Sequence, residues 1–419
     1  MLIKKIHARE ILDSRGNPTI EADVILANNT VGRASVPSGA STGIFEAVER
    51  RDTHNPRYFG KGVLGPVQLI NDVISDRLTR DISIFDQTAI DKILIELDGT
   101  DLKENFGANA ILAVSLACAK AGAAALNIPF YRYIGGIQGN LLPTPMMNVI
   151  NGGVHADNDL DIQEFMIIPT IQNAFSQALR QGVEVFHTLK SVLKQKGLNT
   201  NVGDEGGFAP QLKSSRQALE LLMQAIEQAG YKPGVDFNIG LDVAASEFYA
   251  DQKYHLKGEN LVCDAQGLIC YFEELVRDFP IISIEDGMAE DDYSGWQDMT
   301  TAMGAGTQLV GDDLFVTNVN RLMDGVTQGM GNAILIKPNQ IGTLTQTLDA
   351  IKVAKKTGYA SIISHRSGET EDTTIAHIAV ALNADYIKTG SLCRSDRVGK
   401  YNELLRIEED IQKGITDHE

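Results

Sequence analysis

Six ionisable side chains, Asp242, Glu285, Asp312, Lys337, His365 and Lys388, each stand at or next to the C-terminal end of a short apolar run. The last five follow one another roughly 25 residues apart, the length of one strand-plus-helix unit. One charged residue closing a strand has a bland explanation in solvation or a surface ion pair. Six in succession do not, because in a barrel such ends converge on one face, where like charges repel. Asp242, Glu285 and Asp312, carboxylates on successive candidate strands, call for a cation between them. Their donors are oxygen alone, with no Cys or His, which points to a hard ion: magnesium first, manganese second, zinc disfavoured. Asp286 and Asp313 follow two of these acids and face the other way along a strand, so they read as supporting or helix-capping residues. A lysine beside a divalent cation loses support for its ammonium form and can act as a base, which suits Lys337 and Lys388. Proton removal next to a carboxylate would leave an enolate-like dianion, stabilised by a metal and a second, protonated lysine. The competing reading is that both lysines only balance the acids.

Several loops add chemistry to this set. The run SGASTG (38–43) is a small-residue hydroxyl loop of the kind that closes over phosphate or a metal. His155, in NGGVHA (151–156), and the pair Gln163 and Glu164 flank a second loop, and VGDEGG (202–207) presents Glu205 between glycines, an arrangement suited to a general acid. Ser364, His365, Arg366 and Ser367 open SHRSGET (364–370), where an arginine and hydroxyls could hold a phosphate. Each loop taken alone reads equally as an ordinary polar turn. No GxxxxGK[ST] run occurs, so the chain is not a P-loop enzyme.

The elements that must position these residues fall into two rhythms. Residues 3–11 and 19–26 alternate as antiparallel strands around the turn-forming DSRGNP (13–18), and helical stretches follow near 66–80, 86–97 and 108–126. Strands followed by helices predict an N-terminal α+β domain over 1–134. After GGIQGN (135–140), read as a linker, apolar runs at 239–243, 281–285, 308–312, 333–337, 361–365 and 384–388 alternate with helices such as 344–357 and 373–382. That alternation predicts parallel strands with helical crossovers, and residues 135–419 are the size of a (β/α)8-type barrel. A doubly wound open sheet is the alternative, but its glycine fingerprint is missing.

Composition narrows the classes. With 419 residues, 43% apolar and 22% charged, the chain reads as a soluble globular protein. Its net charge of -18 argues against a general nucleic-acid binder. Cys118, Cys263, Cys270 and Cys393 form no CxxC pair and read as idle thiols in a reducing compartment. No secretory signal follows Met1, and the Ala-rich stretch 110–131, interrupted by Lys120, suits a tightly packed helix better than a bilayer span. The expectation is a cytoplasmic protein with no membrane insertion.

Taken together, LDSRGNPT (12–19), SGASTG (38–43), GANAILAVS (107–115), PMMNVINGG (145–153), DIQEF (161–165), GDEGGFAP (203–210), SIED (283–286), GDDLFVTN (311–318), LIKPNQIGTL (335–344), SHRSGETED (364–372) and IKTG (387–390) closely resemble the motifs of the bacterial-type enolases. The match spans nearly the whole chain, in the family's order. The resemblance implies an enolase-type variant of the barrel, and reversible dehydration of 2-phospho-D-glycerate to phosphoenolpyruvate as a phosphopyruvate hydratase. It implies two magnesium ions per site, the first on Asp242, Glu285 and Asp312 and the second joined by Ser41. Lys337 would take the C2 proton, Glu205 helped by Glu164 would protonate the leaving hydroxyl, and Lys388 would stabilise the intermediate. Arg366 and Ser367 would hold phosphate, with His155, Gln163, Ser364 and His365 completing the pocket. A homodimer, or an octamer of dimers, is implied, with Glu21 and Arg406 at the positions of a pair formed across the dimer interface. Relatives also have cell-surface pools that bind plasminogen, but the C-terminus here lacks the lysines credited with that role. Pro338 and Gly287 depart from common family residues without removing a reacting group. Two rivals stand: an acid-sugar dehydratase of the same superfamily, disfavoured by the phosphate loops, and an inactive binding protein, disfavoured because Lys337, Glu205, Asp312 and Lys388 are all present.

Overall fold

The protein is described by a computed structural model at residues 1–39, 42–170 and 174–416, with backbone alone for 414–416. It begins with an antiparallel sheet of β1 (Ile3–Leu12), β2 (Pro18–Leu26) and β3 (Val31–Ser35), in that order. Asp13 closes the first turn by accepting the backbone N–H groups of Arg15 and Asn17 at 2.9 and 2.8 Å. Helical segments follow at 64–78 and Gln87–Asp98. The helix Ala108–Leu126 packs on β2 and β3. It is the one described helix long and apolar enough to cross a membrane, and most of it is buried inside the protein. Small residues make the packing close: a Cβ on Gly32 in β3 would lie 2.2 Å from the Ala117 carbonyl oxygen. The sequence did not mark β3, because VGRAS has no alternation; its extended form comes from pairing with β2 and from that helix.

The expected linker is short and pinned. The helix Phe130–Gly135 runs into a single 3-10 turn, Gly136–Gln138, and Asn383 then holds the chain. Its side-chain oxygen accepts from the backbone N–H groups of Asn140 and Leu141 at 3.1 and 3.0 Å.

Next come β4 (Thr144–Asn151), β5 (Glu164–Pro169) and β6 (Phe237–Asp242), and a small meander of β7 (Tyr249–Ala250), β8 (Lys253–Leu256) and β9 (Leu261–Cys263). β10 (Ile281–Glu285), β11 (Gln308–Gly311), β12 (Ala333–Ile336), β13 (Ala360–Ser364) and β14 (Tyr386–Lys388) complete the strands. A closed eight-stranded barrel runs β10-β11-β12-β13-β14-β4-β5-β6, and the meander stays outside it. The α/β barrel is therefore present, with one departure from the all-parallel expectation: β5 is antiparallel to both β4 and β6. Neither β4 nor β5 was among the runs read from the sequence, although both are buried on both faces: Asn148 interrupts the apolar stretch of β4, and β5 has a short one between Glu164 and Pro169. The reversal matters. It puts the first residue of β5, Glu164, at the barrel end where the parallel strands finish. Met146, Met166, Ile168, Val310, Ala333, Leu335 and Ile362 form a compact apolar cluster of their own, apart from the larger core, so the barrel interior is packed rather than a pore.

Glu21 is held within its own chain by Arg9 and by the Ser35 hydroxyl at 2.9 Å, and Arg406 by Glu403 at 2.6 Å.

Lys120, on the long N-terminal helix, meets Asp372, in the segment after β13, at 2.7 Å, and the same carboxylate accepts the Ser35 backbone N–H at 3.0 Å. Burial pushes the Asp372 carboxyl up, but Lys120 outweighs it and holds the group at about 2. With the folded value below the ordinary 3.8, the unfolded chain binds more protons in that window, so stability is fully present above it and lost as pH falls through about 2. We expect urea unfolding of wild type and Asp372→Asn to differ by about 2 kcal/mol near neutrality, a gap that closes across that acid window. A pH-independent gap would assign the effect to packing instead.

Candidate active site

Strand register assembles the acids. Glu164 pairs with Asp242 across β5 and β6, and Asp242 with Glu285 across β6 and β10. Glu285 in turn faces Val310 of β11, two residues before Asp312. All four acids are buried. Past these strand ends the backbone turns sharply: Ala244, Asp286, Val316 and Thr317 all have positive φ, between 42° and 55°, the kind of strain that concentrates at working sites. Asp286 has the supporting role expected of it, accepting the backbone N–H groups of Asp312 and Asp313 at 2.9 and 3.0 Å. Asp313 lines the cavity.

Two ammonium groups sit among these carboxylates. The Lys388 Nζ donates to Asp242 at 2.8 Å and to both oxygens of Glu285 at 2.9 and 2.8 Å, with Glu164 at 3.2 Å. Burial works against its charge, yet Asp242, Glu164 and Glu285 together hold it well above the ordinary lysine range. Lys337 pairs with Asp312. Burial pulls its ammonium down and Asp312 more than offsets this, so Lys337 is raised. The lowered value expected from the sequence is that of a lysine beside a bound divalent cation; the charge nearest Lys337 here is the Asp312 carboxylate.

The arrangement can be tested against a metal. Among the described residues, two groups of possible ligand atoms lie within 4.8 Å of one another: His155 with Glu164 and Glu205, and Asp286 with Asp312 and Asp313. Asp242, Glu285 and Asp312 do not form so tight a set, since Lys388 stands between the first two. Their chemistry still fits a hard cation. The donors are oxygen, and negative charge is in surplus: burial, followed by neighbouring acids, pushes Glu285, Asp286 and Asp313 well above the carboxylate range. Ser41, expected at a second ion, lies outside the described residues.

Across the cavity stands a carboxyl pair. Glu205 accepts from the Asn148 amide at 3.0 Å and lies 3.7 Å from His155 Nδ1 and 3.5 Å from His365 Nε2. Its loop is fixed by the Ser391 N–H on the Glu205 carbonyl at 2.9 Å and by the Cys393 thiol on the Gly206 carbonyl at 3.0 Å. Burial and then Glu205 push Glu164 well up. Burial raises Glu205 as well, but His155 and His365 override it and leave Glu205 low. The two carboxyls are thus pushed in opposite directions, Glu164 up and Glu205 down, and they face the cavity together where Glu205 helped by Glu164 was expected as the acid. Gln163 donates to Asp242 at 3.3 Å, and its buried Oε1 has no partner among the described residues.

The third wall is the loop after β13. Arg366 donates to Glu46 at 2.8 and 3.2 Å, Ser364 to the His365 carbonyl at 3.0 Å, and Ser367 lines the same cavity. Ser38 and Gly368 exchange backbone hydrogen bonds of 2.7 and 2.8 Å, which ties the N-terminal hydroxyl loop to this one. Only glycine fits there, since a Cβ at 368 would meet the Asp13 carboxylate and the Ser38 hydroxyl at 2.6 Å. Glu46 had no signal in the sequence. It accepts from Arg366 and, at 3.2 Å, from the Gln340 amide, which also donates to Asp312 at 2.8 Å. A chain of contacts thus joins the acid cluster to the arginine loop through an N-terminal residue 320 positions away from Arg366.

Lys337, Lys388, Glu164, Glu205, His155, Gln163, Asp242, Asp312, Ser364, His365, Arg366 and Ser367 all line one cavity. Glu285 reaches that wall through Lys388. Two family models match the chain: one described as enolase, N-terminal domain, over residues 3–134, and one described as enolase, C-terminal TIM barrel domain, over residues 139–417.

Replacing Glu46 by Gln removes the carboxylate charge that is hydrogen-bonded to the buried Arg366 guanidinium. We expect Glu46→Gln to lose about 3 kcal/mol of stability in urea unfolding. A loss under about 0.5 kcal/mol, the usual size of a surface change, would mean the ion pair carries little.

Proposed function

The chain belongs to the enolase family of metal-dependent lyases, and from that premise we propose that it catalyses the reversible dehydration of 2-phospho-D-glycerate to phosphoenolpyruvate and water. One observation carries the reading: an amine, a buried pair of carboxyl groups and an arginine–serine loop line a single cavity. A phosphorylated 2-hydroxy-type acid losing water across C2 and C3 needs those three functions.

Lys337, as the neutral amine, removes the C2 proton, and its Nζ holds that proton while the C3–O bond breaks. Asp242, Glu285 and Asp312 are the residues that would hold magnesium, an ion whose charge would offset Asp312 beside Lys337 and stabilise the carboxylate of the substrate. Lys388 keeps its proton throughout, since three carboxylates surround it, and so presents a fixed positive charge to the enolate side of the reaction. The Glu164–Glu205 pair gives its shared proton to the departing C3 hydroxyl, which leaves as water. In reverse the pair takes a proton from water and Lys337 returns its own to C2. Arg366, a guanidinium at every working pH, and Ser367 bind the phosphate. Ser364, His365, His155 and Gln163 complete the pocket and exclude water. A homodimer is part of the proposal; Arg406 is 67% exposed and paired with Glu403 in its own chain, so a pair with Glu21 of a second copy would replace that contact.

Two outcomes test the roles. Lys337→Ala should abolish exchange of the C2 proton with deuterated solvent and leave magnesium binding by calorimetry nearly intact; retained exchange would remove Lys337 as the base. Glu205→Gln should stop phosphoenolpyruvate formation, followed by absorbance, and still allow C2 exchange, whereas loss of both would make it a positioning residue. For the substrate, glycerate without phosphate should react with kcat/KM lower by on the order of 100-fold or more, the worth of charge-assisted hydrogen bonds to phosphate. Equal turnover of the two would favour an acid-sugar type dehydratase.

A further inference from the structure

Arg397, at the start of the last helix, is fully buried and is not among the residues that line the cavity described above. Its guanidinium points back toward the barrel mouth. Nη1 donates to the Arg366 carbonyl at 2.5 Å and contacts His365 Nδ1. Nη2 donates to the Ser367 carbonyl at 2.6 Å and to the Asp204 carbonyl at 3.3 Å. Asp396 lies 2.8 Å from its Nε, outside hydrogen-bond alignment. One planar group therefore holds three backbone carbonyls and one imidazole nitrogen. Those acceptors come from the phosphate-suited loop, from the residue before Glu205, and from His365.

The contact with His365 has a chemical consequence. A guanidinium has only donors, so the nitrogen that faces it must be an acceptor, and His365 must be neutral with its proton on Nε2. That nitrogen is the one 3.5 Å from Glu205 Oε1. The surroundings agree: burial first, then Arg397, Lys388 and Lys337, lower the imidazole well below its ordinary value against the pull of Glu205.

We propose that Arg397 is a positioning residue for the dehydration, fixing His365 as its Nε2–H tautomer toward Glu205 and clamping the Glu205 loop to the Arg366–Ser367 loop. The inference rests on the substrate reading above, and it adds a residue that touches neither substrate nor metal. Lysine cannot replace it, because a single ammonium cannot span four acceptors set around a plane. The effect belongs on turnover rather than binding, since the tautomer decides which hydrogen bond the Glu164–Glu205 pair has as it gives up its proton.

The test measures the tautomer directly. Full-length protein labelled with 15N-histidine is observed by NMR, and the His365 signals are identified by their loss in His365→Asn. Wild type should show an unprotonated Nδ1 and a protonated Nε2, and Arg397→Lys should show both tautomers. Kinetics give the second readout. Arg397→Lys should lower kcat about tenfold, a usual size for a residue behind the reacting groups, with KM for 2-phosphoglycerate changed less than about twofold. In the His365→Asn background the same substitution should change kcat far less. A protonated Nδ1 in wild type, an unaltered tautomer in Arg397→Lys, or an undiminished kinetic effect without His365 would each overturn the proposal. Thermal melts of each variant separate these results from misfolding. If wild type fails to turn over 2-phosphoglycerate, the substrate reading fails while the tautomer measurement still stands on its own.

Discussion

Everything at the barrel mouth depends on burying an ammonium group among carboxylates. Taking Lys388, Asp242, Glu285 and Glu164 out of water costs several kcal/mol per ion. The mutual attraction of the charges offsets that only if their geometry is held. Register holds it: Glu164, Asp242 and Glu285 are cross-strand partners on β5, β6 and β10, and Lys388 pairs with Ser364 across β14 and β13. A slip of one residue in any of these strands would turn its charge out of the cluster. The packed apolar lumen below, built on Met146, Met166 and Ile168 among others, resists that slip. Stability and chemistry thus draw on the same contacts.

The surplus of acid over base gives the site its character. Lys337 and Lys388 face Asp242, Glu285, Asp312, Asp286, Asp313 and Glu164, and several of those carboxyls are pushed upward by burial and by one another. A site poised in this way favours a bound divalent cation, as a metal-dependent lyase requires. On the opposite wall the histidines invert the logic, lowering Glu205 while Glu164 rises. The N-terminal region belongs to this machinery. Through Glu46 it holds Arg366 and, by way of Gln340, Asp312, so the N-terminal region helps to orient the charges at the mouth.

Much of this was legible in the residues because the signal is local. A strand buried on both faces reads as an apolar run, and the charge that ends it is conspicuous, which is why Glu285, Asp312, Lys337, His365 and Lys388 could be placed at strand ends. The Ala-rich helix was legible because small side chains leave few other packings. What stayed hidden was non-local. β5 runs backwards, and nothing in EFMIIP encodes direction. Glu46 sits in an unremarkable polar stretch, and its partner Arg366 is hundreds of residues away. Arg397 reads as an ordinary charge at the start of a helix, and only the fold aims it at His365 and three carbonyls. The upward shifts of Lys337 and Glu164 depend on burial and on sums of neighbouring charges, which spacing cannot supply.

The central claim, that the Lys388 ammonium is what permits these acids to be buried together, is open to one direct measurement. Lys388→Met keeps nearly the same volume and removes the charge, and its unfolding can be followed in urea with chelator and again with magnesium. In chelator the variant should lose about 3 kcal/mol or more, as expected when buried charges are left unpaired, and magnesium should restore more stability to it than to wild type. A variant that unfolds in chelator like wild type would show that the cluster needs no internal cation, and the account would fail.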